Sequence, residues 1–219
     1  SRAAALEAIE RMRFALGVDH DLRPFQRRFW RDPLIGAALR RRPWLRPRRR
    51  PEPFEALAWA ICEQLIHSGD AAAIERRIVR RWGPLSACGT LRDAPSAATI
   101  AGRAPAELEA CGLAAKRALA LVKAAREVAA GRVDLSAHEP CWERLRTISN
   151  IGSWTLEMLA FTGQGRDDQL PAGDVAYLKL VGRLAGLGRR ATEDEVREFF
   201  APYEEYRGLA GMYALSSIA

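Results

Sequence analysis

Apolar residues recur at helical spacing along almost all of this 219-residue chain, and strand signals are nearly absent. Ala, Leu, Arg and Glu dominate, and all four favour helices. The pattern restricts the chain to an all-α architecture of many short amphipathic helices. Residues 1–16 read as one helix ended by Gly17, and residues 24–42 as one or two more around Phe25, Phe29, Trp30 and Leu34. Pro43, Pro47, Pro51 and Pro53 then forbid a continuous helix, so that stretch is an extended connector. Pro53 opens an apolar helix from Phe54 to His67. Further helices are expected at 70–82, 95–101, 105–110 and 114–130, the last closed by Gly131. Ser136 and Glu139 have capping-box spacing for a helix at 140–147, as do Thr192 and Glu195 for one at 193–200. Others are expected from Ser153 to about Thr162, from around Asp174 and from near Glu204.

Charge narrows the partners. The chain carries 34 basic and 27 acidic residues, a formal +7, which favours a polyanion without proving one. Arginines crowd residues 40–50, where a solvated linker and a phosphate-contacting segment are both open readings. Cys62, Cys88, Cys111 and Cys141 are too widely spaced for a zinc or iron–sulfur site, and His20, His67 and His138 are equally scattered. The cysteines read as buried, reduced thiols of a cytoplasmic protein. No signal peptide or bilayer-spanning run is visible. The chain starts at Ser1, not Met, and stops in an apolar run, which is compatible with trimmed ends.

Residues 145–174 carry the chemical signal. Leu145-Arg146-Thr147-Ile148-Ser149-Asn150-Ile151-Gly152-Ser153-Trp154-Thr155 reads as two helices joined by a tight turn. Ile151 can anchor the helix pair, while Gly152 lets a phosphate oxygen approach backbone N–H groups at a helix start. Such hairpins also occur for packing alone. Asp174, after Pro171-Ala172-Gly173, is an ordinary N-cap choice, and equally a carboxylate able to act on a nucleotide. Trp154 and Met158 are four apart and share a helix face, which suits core packing as well as a pocket.

The segment Leu145–Thr155 resembles the helix-hairpin-helix of the DNA glycosylase superfamily, and Leu170–Asp174 resembles the segment bearing that family's catalytic aspartate. The bacterial 3-methyladenine DNA glycosylase II branch is most similar, from about Pro53 to Tyr213. The resemblance implies a two-lobed helix-hairpin-helix fold with a basic cleft, about 53–135 in one lobe and about 1–52 plus 136–219 in the other. Typical relatives also carry an N-terminal β domain, which is expected to be missing here because the chain opens with helices. Asp174 then takes the catalytic position, where a fixed anion stabilises the oxocarbenium-like sugar formed as an N-glycosidic bond breaks.

Trp154, Met158 and Tyr206 take base-pocket positions, and an indole favours the delocalised positive charge of an alkylated purine. Met158 replaces an aromatic, which suggests a softer pocket. Gln64, Leu65, Asn150, Ile151, Gly152 and Ser153 take DNA-binding positions. Leu65 is either the wedge that fills the space of a flipped nucleotide or one more core leucine.

Two departures from the family pattern matter. Ser149-Asn150 replaces the usual Pro-Gly, although Asn tolerates a left-handed backbone. Trp154 stands where strand-cleaving relatives have a lysine nucleophile, which implies a monofunctional, water-using enzyme. The expected partner is duplex DNA containing alkylated bases, met by a monomer away from membranes. No redox cofactor or catalytic metal is implied, and a monovalent cation at the hairpin carbonyls is compatible with the resemblance. The alternatives are a non-catalytic helical DNA-binding module and a monofunctional glycosylase of the same fold for mismatched or oxidised bases.

Overall fold

A computed structural model describes residues 2–217, apart from the side chains of Glu139 and Pro140. Thirteen α-helices span these residues, and the only β pairing among them is an isolated antiparallel bridge between Leu85 and Arg92. Among the described residues no helix is long and apolar enough to cross a membrane. The chain divides into two compact units, Glu52–Leu159 and Ser1–Pro51 joined by Ala160–Ala219. This differs from the expected division at residues 136–159, which fold with the central segment. Cys141, Leu145, Ile148, Ile151, Leu156 and Leu159 all bury in that segment's core.

The central unit is built on α4 (Pro53–Glu63), in which every residue from Ala56 to Cys62 is buried. A helix apolar on all sides can only sit inside its neighbours. Those neighbours are α5 (Ser68–Trp82), the short α6 (Ala97–Ala101) and α7 (Pro105–Glu109), α8 (Ala115–Ala129), α9 (His138–Arg146) and α10 (Ser153–Met158). On α8 the buried face alternates small Ala118, Ala124 and Ala125 with Leu121 and Val122, which lets α4 and α6 approach closely. Burial pushes the Cys62 thiol upward and keeps it inert. Cys111 and Cys141 are buried too, but Cys88 is exposed in the turn after α5, contrary to the uniform burial expected of the four.

The second unit joins both ends of the chain. The first end contributes α1 (Arg2–Leu16), α2 (Arg23–Phe29) and α3 (Gly36–Arg41). The second contributes α11 (Val175–Leu184), α12 (Glu193–Phe199) and α13 (Arg207–Ser216). Rings of Phe25, Phe29, Phe200, Tyr203 and Tyr213 form the centre of its core. The Tyr213 hydroxyl donates to the Arg42 and Leu45 carbonyls, both at 3.1 Å, and the Tyr203 hydroxyl donates to the Asp32 carboxylate at 3.0 Å. Residues 43–50 are the extended connector that the prolines require.

Several helix boundaries differ from expectation. The apolar helix from Pro53 ends at Glu63, not His67: Gln64 takes a non-helical ψ of 124°, and Arg117 bonds the Cys62 and Gln64 carbonyls at that turn. The helix after the hairpin passes into a π-turn at Leu159–Gly163. A short 3-10 turn, Ala201–Tyr203, delays the last helix to Arg207. Ser136 does not cap a helix: its N–H and hydroxyl both donate to Asp134, and α9 starts after Ala137. The Glu139 side chain of that expected box lies outside the described residues.

Candidate functional site

Within the central unit, the end of α4 and the turn between α9 and α10 are tied together. The Gln64 amide nitrogen donates to the Asn150 carbonyl at 2.7 Å and to the Thr155 hydroxyl at 2.8 Å. The two NH2 hydrogens of Gln64 are thereby committed to holding the hairpin. Arg117 closes the same turn from below by donating to the Cys62 carbonyl at 2.7 Å and the Gln64 carbonyl at 3.0 Å. Sequence reasoning missed Thr155 and Arg117. Thr155 lay inside the hairpin motif, whereas nothing local marks Arg117, which reaches back across more than fifty residues.

Between these ties Leu65 stands at φ 49° with its side chain 102% exposed, so the core-leucine reading is excluded. A left-handed conformation costs a β-carbon residue about 1–2 kcal/mol. The conformation survives because the hydrogen bonds on either side determine it.

The hairpin follows the sequence closely. Asn150 adopts φ 72°, the left-handed conformation that asparagine tolerates. Ile151 is buried in the core of the unit and donates its N–H to the Ile148 carbonyl at 3.0 Å. Gly152 has φ −105°, which any residue can adopt, and a β-carbon there would meet nothing within 4 Å. Glycine therefore contributes bare access to the backbone at the start of α10, not a special turn. Ser153, Trp154 and Met158 are half-buried on α10.

Asp174 and Tyr206 belong to the other unit. Asp174 is the N-cap of α11, and its carboxylate accepts the Ala176 N–H at 2.8 Å. The capping reading is therefore correct as structure, and the carboxylate is fixed yet only half-buried. A fixed anion of this kind can stabilise a developing cation without reorganising. Tyr206 sits just before α13, its ring 5.4 Å from Phe25 and 6.2 Å from Phe29, so the aromatic core sets its orientation.

The arginine run separates into two groups. Arg49 is 8% exposed and pairs with Asp167 at 3.0 Å, while Arg46 donates to the Gly17 and Trp44 carbonyls. Those side chains serve the fold. Arg41 and Arg48 are exposed.

Comparison with known proteins bears on family and fold. The model of the HhH-GPD superfamily, described as base excision DNA repair proteins, matches residues 58–205. A DNA-3-methyladenine glycosylase of Bacillus subtilis is 25% identical over 203 residues, covering 90% of this chain and 67% of that protein. The 3-methyladenine DNA-glycosylase of Archaeoglobus fulgidus superposes with a TM-score of 0.81 over 96% of this chain and 73% of its own, at 24% identity, which is a likeness of fold. The Schizosaccharomyces pombe 3-methyladenine DNA glycosylase, solved with abasic DNA, superposes with a TM-score of 0.67 at 26% identity, covering 85% of this chain and 92% of that one.

Proposed function

From the premise that the chain belongs to the HhH-GPD superfamily of base excision DNA repair proteins and is a DNA glycosylase, we propose that it releases alkylated bases from duplex DNA by hydrolysis. Asp174 is the catalytic residue in this reading. Loss of the base leaves positive charge on the deoxyribose, and a held carboxylate stabilises that charge and orients the attacking water. The observation that carries the proposal is the state of this carboxylate, anchored through the Ala176 N–H and still half-exposed. The names of the relatives support 3-methyladenine as the first substrate to test.

The remaining roles follow from residue chemistry. The Trp154 indole attracts a base carrying delocalised positive charge more than a neutral one, and Met158, four residues along the same helix, adds apolar contact to it. Because Trp154 offers no amine, no Schiff base forms there and the strand stays intact. Asn150, Ile151, Gly152 and Ser153 seat a phosphate at the bare start of α10, where the Gly152 backbone is uncovered. The Ile148 carbonyl accepts the Ile151 N–H and the Asn150 carbonyl accepts the Gln64 amide, and a monovalent cation held at these hairpin carbonyls would supply positive charge near that phosphate. Leu65 fills the space of the flipped nucleotide, and Gln64 positions both Leu65 and the hairpin through its bonds to Asn150 and Thr155.

Asp174→Asn separates catalysis from capping, since asparagine caps a helix as well as aspartate does. Release of 3-methyladenine from methylated duplex DNA should fall by about 100- to 1,000-fold, the usual cost of removing one electrostatic stabiliser. The thermal midpoint should stay close to wild type. Retained release in this variant would remove Asp174 from the mechanism. Release of 8-oxoguanine or a mismatched base in preference to methylated purines would move the substrate class. Covalent trapping by borohydride would overturn the water-using route.

A further inference from the structure

The positive charge of the chain is concentrated in one stretch of its sequence. Residues 23–50 contain eleven of the 34 basic residues and only one of the 27 acidic ones, so this segment carries a formal +10 and the rest of the chain is net acidic. The single acid, Asp32, is occupied by the Tyr203 hydroxyl and by the Leu34 and Ile35 N–H groups. Within this segment a groove of about 450 Å³ is lined by Arg23, Gln26, Arg27 and Trp30. That volume accommodates a nucleotide-sized ligand. Gln26 donates to the Pro43 carbonyl at 2.7 Å, which holds the backbone just before Trp44 against a residue of the groove, and Arg40 donates to the Trp30 carbonyl at 2.6 Å. Trp44 is 70% exposed and Trp30 43%. Arg23 is held by Asp21, whose charge also acts on Arg27; Arg27 is exposed and has no hydrogen-bonded carboxylate among the described residues.

We propose that this face of the α2 unit is a second nucleic-acid contact, one that takes unpaired nucleotides by stacking bases on Trp44 and Trp30 while Arg27 and its neighbours hold the phosphates. Charge and aromaticity each contribute to this choice. Arginines alone would suit any polyanion. Indoles left in solvent beside them match a base whose faces are free, because paired bases inside a duplex present only their edges. The occupant is therefore a single-stranded segment, such as one flanking a lesion in opened DNA. An acidic peptide would satisfy the arginines and leave the indoles unused.

The test is binding of a labelled oligothymidylate to the whole protein, followed by anisotropy at several salt concentrations. Trp44→Ala should weaken binding about tenfold, as expected for loss of one stacked base. Arg27→Glu should weaken it several-fold and lower the salt slope by about 0.7. Asp174→Asn should bind the oligonucleotide as wild type does, so failure of the catalytic reading and failure of this one are distinguishable. Trp44→Leu, which keeps apolar bulk without an extended ring, guards against misfolding and should match the alanine variant. Unchanged binding in both the Trp44 and Arg27 variants would overturn the proposal. An Arg27 effect without a Trp44 effect would reduce the face to a nonspecific charge patch and overturn the stacking. Polyglutamate that displaces the oligonucleotide with equal affinity for wild type and Trp44→Ala would reassign the face to acidic protein partners.

Discussion

Leu65 combines two costs that a folded chain ordinarily avoids, a left-handed backbone at φ 49° and a fully exposed apolar side chain. Its side chain buries nothing on folding, so removing it costs the native state nothing. Replacing it with glycine also relieves the backbone and should raise unfolding stability by about 1 kcal/mol. If the side chain is the wedge, the same variant should lose about tenfold in base release, since unstacking a nucleotide costs a few kcal/mol. Opposite signs on stability and activity would mark a residue kept for function. A more stable Leu65→Gly enzyme with full activity would end the wedge assignment. Asp174, in the other unit, shows the complementary case, in which one carboxylate caps α11 and remains half-exposed. For such a residue the structural and catalytic readings are not alternatives.

At the scale of elements, two similar sequence signatures had different outcomes. Thr192 and Glu195 form the expected reciprocal box: the Thr192 hydroxyl accepts the Glu195 N–H at 3.2 Å, and Glu195 accepts the Thr192 N–H at 2.7 Å. Ser136 instead bonds Asp134, a competing carboxylate two residues upstream that the 192 site lacks. Helix existence was therefore legible from periodicity, while helix ends depended on which polar group captured the first free N–H. The overshoot of α4 reflects the backbone beyond it. Leu65 and Ile66 continue the apolar pattern, but the chain leaves the helical conformation at Gln64, and Arg117 accompanies that turn by bonding the Cys62 and Gln64 carbonyls.

The true box makes a pH prediction. Hydrogen bonds from Arg189 and Thr192 hold the Glu195 carboxyl down at about 2, below its usual 4.5. Its contribution is thus present above the ordinary value and lost as pH falls toward about 2. The thermal midpoint of Glu195→Gln should lie below wild type at neutral pH, and the gap should close between pH 4.5 and about 2. A gap that does not change with pH would mean the pair adds nothing to α12. Thr192→Ala should cost about 1 kcal/mol at neutral pH.

At the scale of the whole molecule, one unit is assembled from segments more than a hundred residues apart, and local pattern could not reveal how they join. The apolar positions of 136–159 suit either core equally as a pattern, which is why their membership was not legible. The positions of the hairpin and Asp174 were legible, because each depends on a short contiguous motif. The terminal segments are fastened at Asp167. Its carboxylate meets His20 at 2.6 Å and Arg49 at 3.0 Å, and its carbonyl accepts the Gly208 N–H at 2.8 Å. Arg49 also lies 5.3 Å from the Phe14 ring, which draws the end of α1 into the same contact.

Arg49 therefore behaves as a structural cation inside a segment whose composition suggests only polyanion binding. Arg49→Ala leaves a nearly buried carboxylate without its arginine and should destabilise the protein by about 3 kcal/mol in urea unfolding. Arg48→Glu, one residue away but exposed, should stay within about 0.5 kcal/mol of wild type. Equal stability in the two variants would show that burial does not divide this run into fold and surface. Unequal stability, with Arg48→Glu altering only the salt dependence of DNA binding, would show that adjacent arginines of identical local composition serve different tasks because only one of them meets Asp167.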